Sequence, residues 1–287
     1  MAVKLELGNQ YKSTFMATLS GLTVTTRISG KIMSSETDQQ PLSLIQYTHT
    51  KVTRTTPDIL RQRRTIMGLK NDPHIDIFRH LRTKVLRKLR ENKWNSLAIT
   101  SATPDSGKSF VTANLAIALA MEVNQTVLVV DADLRNPNVA WFFGLDVEKG
   151  LLDYLTEDMP LASILINPGF QRLVVLPGKG FTTHSSELLS SPKMVNLVNE
   201  LKFKYDSRII LFDMPPLLTS DDTLLFMPNF DAALLIVEDG KTTAEDIRRS
   251  LQILEETELM GIVLNKSQEP IGNMYYSAHS QAVVDPV

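Results

Sequence analysis

The 287-residue chain contains no cysteine. Disulfides, thiolate zinc sites and a cysteine nucleophile are therefore excluded. Histidine is sparse, and His49, His74, His80, His184 and His279 show no metal-ligand spacing. A dominant charge is also missing: 30 Lys and Arg stand against 32 Asp and Glu, a formal net charge of −2. No whole-molecule field gathers a polyanion, so nucleic acid is not an expected partner. No apolar run reaches the roughly 18 residues of a spanning helix, and the N-terminus lacks a compact apolar stretch with a cleavage site. The expectation is a cytoplasmic protein with no direct membrane span.

What is present is enough apolar residue, 43% of the chain, for one α/β domain with tails. Residues 1–69 are rich in Ser and Thr, are broken at Gln39-Gln40-Pro41 and Thr55-Thr56-Pro57, and hold no helical period. They are expected to form a largely flexible leader, with Gly21 to Ile28 β-branched enough for a hairpin. Residues 70–270 carry the domain and 271–287 a flexible tail with Tyr275 and Tyr276. The domain opens on an amphipathic helix from His74 to Arg90, with Ile77, Phe78, Leu81, Val85 and Leu89 on one stripe and basic residues around the rest. Continuous apolar runs then alternate with helical stretches: Thr126 to Val130, Leu173 to Leu176, Ile209 to Phe212, Ala233 to Val237 and Gly261 to Leu264. Continuity rather than alternation predicts a parallel sheet covered by helices on both faces.

The most informative stretch is Leu97 to Phe110, a short apolar strand running into a loop that ends Gly107-Lys108-Ser109, followed by a helix to Ala120. Such a loop turns backbone N–H groups toward a polyphosphate on the helix N-terminus, while lysine reaches the outer phosphates and a hydroxyl meets Mg²⁺. Thr103, Pro104, Asp105, Ser106, Gly107, Lys108, Ser109 and Phe110 are the expected nucleotide-binding residues. The first loop position, usually Gly, is Ala102. Two later strands end in carboxylates: Asp131 and Asp133 after the first, Asp213 after the third. An extended chain would project Asp131 and Asp133 from one face. Ser109, Asp131 and Asp213 are the expected Mg²⁺ partners, because this ion keeps waters and takes few protein carboxylates. Asp133 is placed to orient or deprotonate an attacking hydroxyl. ATP and Mg²⁺ are the cofactors this pattern calls for.

The loop, the Val127 to Pro137 segment and the Ile209 to Pro216 segment together resemble the bacterial tyrosine autokinases of capsule and exopolysaccharide synthesis. They correspond to the Walker A, A′ and B segments of those proteins. The resemblance runs over residues 73–270 and is closest to the cytosolic kinases of exosortase-type loci. It implies a P-loop NTPase fold of the deviant-Walker group and transfer of the ATP γ-phosphoryl group to tyrosines near a C-terminus. Lys108, Asp131, Asp133 and Asp213 would be catalytic, Asn265 would approach the adenine, and Tyr275 and Tyr276 would accept phosphate in trans. Asp76, Arg79 and Arg82 are similar to the segment through which these kinases form rings. A homo-oligomer is therefore implied, as is an inner-membrane polysaccharide chain-length protein as activator, which could recruit the chain to the membrane face. Partition and division-site ATPases carry an extra lysine early in the loop, where this chain has Thr103. The alternative function is an ATP-binding or hydrolysing switch, without kinase activity, that controls assembly with a membrane partner.

Overall fold

The computed structural model describes residues 2–5, 51–69, 72–204 and 207–267, with residues 2–5 described as backbone alone. Among the described residues nine strands form one sheet: β1 (Ala2–Leu5), β2 (Lys51–Val52), β3 (Ser96–Ser101), β4 (Thr126–Asp131), β5 (Ile166–Asn167), β6 (Leu173–Leu176), β7 (Arg208–Asp213), β8 (Ala232–Glu238) and β9 (Glu258–Ser267). Their order is β1-β9-β8-β3-β7-β4-β6-β5-β2. The pairings are parallel except β1 on β9 and β5 on β6. All five expected strands are present. Because β7 lies between β3 and β4, the carboxylate ending β7 stands between the loop after β3 and the carboxylate ending β4.

The helices are α1 (Pro57–Gln62), α2 (Ile75–Asn92), α3 (Lys108–Ala120), α4 (Val139–Phe142), α5 (Leu151–Thr156), α6 (Ser185–Leu189), α7 (Pro192–Phe203), α8 (Asp222–Phe226) and α9 (Ala244–Ile253). Alternate residues of each central strand feed two separate cores. Leu97, Ile99, Val127 and Val129 meet the α2 and α3 side, while Ala98, Leu128 and Val130 meet the α7 and α8 side. Burial on both faces is why these strands read as unbroken apolar runs. On α2 the predicted stripe Ile77, Phe78, Leu81, Val85 and Leu89 is buried. A fully buried Leu or Phe contributes about 1.5–3 kcal/mol. The helix stops at Lys93, in the left-handed region at φ 58°. All thirteen residues of α3 are buried, so the helix that carries the loop is held on every side.

Residues 51–69 differ from the expected leader. Thr56 and Pro57 act as N-cap and first residue of α1 rather than as a break. Leu60, Ile66 and Met67 are buried. Thr55 donates to the Phe143 carbonyl at 2.6 Å and Thr65 to the Phe142 carbonyl at 2.5 Å. The Asn114 carboxamide, on α3, accepts from Met67 N at 3.0 Å and donates to the Arg64 carbonyl at 3.2 Å. This segment belongs to the packed domain, whose boundary thus lies before residue 70. The hairpin candidate at residues 21–28 and the tail tyrosines Tyr275 and Tyr276 lie outside the described residues.

Candidate active site at the phosphate loop

The loop joins β3 to α3 at the carboxyl edge of the sheet. Gly107, the N-cap of α3, has φ +94°, and a Cβ there would sit 2.1 Å from Nδ2 of Asn265. Only glycine meets both demands. The first intrahelical bond runs from Val111 N to the Gly107 carbonyl, 3.0 Å. The amides of Lys108, Ser109 and Phe110 are thus left at the positive end of the helix. The Phe110 ring does not face this end but packs on Phe78 and Phe142, with centroids 5.7 and 6.2 Å away. Its expected contribution to the nucleotide site is therefore its backbone. Thr103 and Ser106 approach within 3.3 Å across the loop, and Ser106 Oγ donates to the Thr103 carbonyl at 2.9 Å. Pro104 and Asp105 are exposed, Asp105 at φ 62°.

Lys108, Ser109 and the three carboxylates converge beneath the loop. Lys108 Nζ lies 2.7 Å from Asp133 Oδ2 and 3.8 Å from Asp213 Oδ2. Ser109 Oγ donates to Asp213 Oδ2 at 2.6 Å, and Thr112 Oγ1 lies 2.8 Å from Asp213 Oδ1. In the β4–β7 register Asp131 is paired directly with Asp213. Neighbouring parallel strands then point both carboxylates to one side. Beyond that pair the strand alternation ends, because β4 stops at Asp131. Asp133 accepts from Asn136 N at 2.9 Å and turns to Lys108, whereas Asp131 accepts from Val139 N at 2.9 Å. The two do not share a face as expected. Asp133 opens on a cleft of ≈ 370 Å³ with Gly107, Lys108 and Ser109; Asp131 lines a neighbouring cleft of ≈ 750 Å³ with Trp141, Gly178 and Lys179.

Burial and then the facing Asp213 push the Asp131 carboxyl well above the usual carboxylate range. Burial also raises Asp213, against the pull of Lys108 and the Ser109 hydrogen bond. Burial alone would lower the Lys108 ammonium, but Asp213 and Asp133 outweigh it and hold it above its ordinary value. One lysine thus faces three buried carboxylates, and the buried Asp131 Oδ1 has no hydrogen-bond partner. Among the described residues no three His, Asp or Glu side chains form a metal-holding group by themselves. A hydroxyl beside one carboxylate, a second carboxylate with a spare oxygen and an excess of negative charge fit Mg²⁺, which keeps waters and takes phosphate oxygens as ligands.

Asn265, near the end of β9, donates to the Ser106 carbonyl at 2.8 Å and leaves a buried Oδ1 without a partner. Its neighbour Lys266 donates to the Asp105 carbonyl at 2.7 Å and pairs with Glu238 at 3.1 Å. The proposed interface residues are tied up within the chain: Arg79 pairs with Asp76 at 2.9 Å and Arg82 with Glu122 at 3.2 Å. Three contributions were not anticipated. Thr112 follows Ser109 by three residues on the same helix, a spacing that could have revealed it. Lys266 stands next to an expected site residue. The pairing of Arg135 with Asp222 spans 87 positions and carries no local signal.

The CobQ/CobB/MinD/ParA nucleotide binding domain family matches residues 97–282. The tyrosine-protein kinase YwqD of Bacillus subtilis is 32% identical over 190 residues, 66% of this chain and 79% of that protein. The kinase domain of Escherichia coli tyrosine kinase ETK superposes with a TM-score of 0.62 at 27% identity, covering 77% of this chain and 92% of that one. The septum site-determining protein MinD of Pyrococcus horikoshii, complexed with Mg-ADP, gives a TM-score of 0.50 at 28% identity over 58% of this chain and 68% of its own. Against the larger curated relatives the chain spans 26% to 29% of their length. No helix among the described residues is long and apolar enough to cross a membrane. The chain belongs to the CobQ/CobB/MinD/ParA nucleotide-binding domain family and, within it, to the bacterial tyrosine-protein kinases.

Proposed function

We propose that the chain is an ATP-dependent protein-tyrosine kinase that phosphorylates Tyr275 and Tyr276 of another copy and regulates exopolysaccharide synthesis or export. The observation that carries this reading is the cluster of Lys108, Ser109, Asp133 and Asp213 under an open helix N-terminus. Lys108 would give up Asp133 for the outer phosphates of ATP, and the freed Asp133 carboxylate would take the tyrosyl proton. Ser109, Asp213 and Asp131 would hold Mg²⁺, which supplies charge neutralisation on the phosphates. The spare Asn265 Oδ1 can accept from the adenine amino group while its Nδ2 keeps the loop in place. The same reading makes the protein a cytoplasmic homo-oligomer assembled through Asp76, Arg79 and Arg82. An inner-membrane polysaccharide chain-length protein would be its activator and membrane recruiter.

The test is incubation with Mg-ATP followed by phosphotyrosine detection on the intact chain. The wild type should gain phosphate on the last peptide, and Lys108→Met should lose at least about a hundredfold in rate, since no other loop cation faces the phosphates. Steady phosphate release without any phosphotyrosine, with the activator present, would replace the kinase by the ATP-driven switch.

A further inference from the structure

Arg135 lines both clefts, the one at the phosphate loop and the neighbouring one that Asp131 also lines. Its Nε donates to Asp222 Oδ2 at 3.0 Å and its Nη2 to Oδ1 at 3.3 Å, a two-pronged grip. Asp222 is fully buried at the start of α8, lines neither cleft, and receives a third bond from Ser185 Oγ at 2.8 Å. The arginine side chain remains 37% exposed. A buried carboxylate on one side and an open guanidinium on the other is the arrangement of a holder and what it holds. Five N–H donors leave three after the grip, two on Nη1 and one on Nη2. They sit at the seam between the two clefts, two residues along the chain from Asp133.

We propose that Arg135 is a catalytic residue that contacts the phosphoryl group in transfer, and that Asp222, fixed by Ser185, is its positioning residue. This rests on the kinase reading above. In the transfer the tyrosyl oxygen bonds to the γ-phosphorus while the bond from that phosphorus to the β,γ-bridging oxygen breaks. The electron pair leaves on ADP and the phenolic proton passes to Asp133. Arg135 exchanges no proton; it offers its free donors to the equatorial oxygens, where charge is spread as the group moves between the two partners. Lys108 lines the cleft at the phosphate loop alone, whereas Arg135 lines both. Lysine in place of Arg135 would keep a charge but lose the fork that Asp222 aims.

The experiment compares the full chain with Arg135→Lys, Arg135→Ala, Asp222→Asn and Ser185→Ala, reading kcat and KM for ATP, fluorescent ADP binding and thermal unfolding. For Arg135→Lys, kcat should fall about a hundredfold, with ADP affinity within about threefold because ADP lacks the transferred group. Asp222→Asn should cost about tenfold in kcat, and much less on top of Arg135→Lys. Ser185→Ala, the milder variant, should lower kcat with a smaller effect on unfolding, and free guanidinium at millimolar concentration should restore part of the Arg135→Ala rate. Wild-type kcat in Arg135→Lys overturns the assignment, and so does a loss confined to ADP affinity or to folding. A wild type that binds ADP but transfers no phosphoryl group sinks the kinase reading and this role with it.

Discussion

Each oxygen of Asp213 faces a different hydroxyl, Ser109 on one side and Thr112 on the other. On the reading proposed above, the Ser109 hydroxyl turns to a metal ion, so the Thr112 bond is the one that can fix the carboxylate throughout. Thr112→Val keeps the shape and strips a fully buried carboxylate oxygen of its donor, which should cost about 1–3 kcal/mol in denaturant unfolding. Thr112→Ser should recover most of it. An unchanged midpoint for the valine variant would mean that the hydroxyl bonds only to the Lys108 carbonyl, 2.9 Å away. At this scale the sequence was legible where geometry is local: Gly107 caps α3 and Lys108 and Ser109 open it, in the order the sequence sets out. It misled at Asp133, since two-residue alternation holds only while the strand lasts and β4 ends at Asp131. It was silent on Asp222, because nothing near Asp221-Asp222 tells which one turns inward.

Among the elements, long apolar runs gave away β4, β6, β7, β8 and β9, because burial on both faces leaves no polar interruption. The two-residue strands β2 and β5 are too short to carry any period. The packed segment 51–69 was hidden because a Thr-Pro step signals a helix start as readily as a break. What joins β3 to β8 is also polar. Asp231, just before β8, accepts from Asn95 N, Ser96 N and Ser96 Oγ, and pairs with Lys202 at 2.7 Å. Burial would raise this carboxyl, but the Lys202 and Asn95 bonds outweigh it and hold it below the usual value. A lowered folded value means that its stabilisation is complete above the unfolded carboxylate range and is lost as pH falls through the folded value. Asp231→Asn should therefore cost about 2 kcal/mol at pH ~7. Thermal melts in increasingly acid buffer should show the gap from wild type closing below pH ~4. A gap independent of pH would assign the loss to packing alone.

On the proposed kinase reading, the decisive matter for the whole molecule is whether the donor site and the acceptor tail belong to one chain or two. A donor-dead chain, Lys108→Met, keeps Tyr275 and Tyr276. An acceptor-dead chain, Tyr275→Phe with Tyr276→Phe, keeps the loop and its carboxylates. If transfer runs between copies, neither variant alone gains phosphate, yet a mixture labels the Lys108→Met chain, which intact mass distinguishes from its partner. The rate should climb with the concentration of the acceptor-dead chain until assembly saturates. No label in the mixture, beside a labelled wild type, would confine transfer to one chain. The contact surface enters the same assay. Arg79 and Asp76 are exposed and satisfy each other within α2, and an exposed pair of this kind is worth at most about 1 kcal/mol. Exchanging it for contacts with a second copy costs little, so Arg79→Glu should leave thermal unfolding nearly unchanged. If α2 is the meeting surface, placing Arg79→Glu in both chains should slow labelling of the mixture while each chain still binds nucleotide. Undiminished labelling would move the contact to another face.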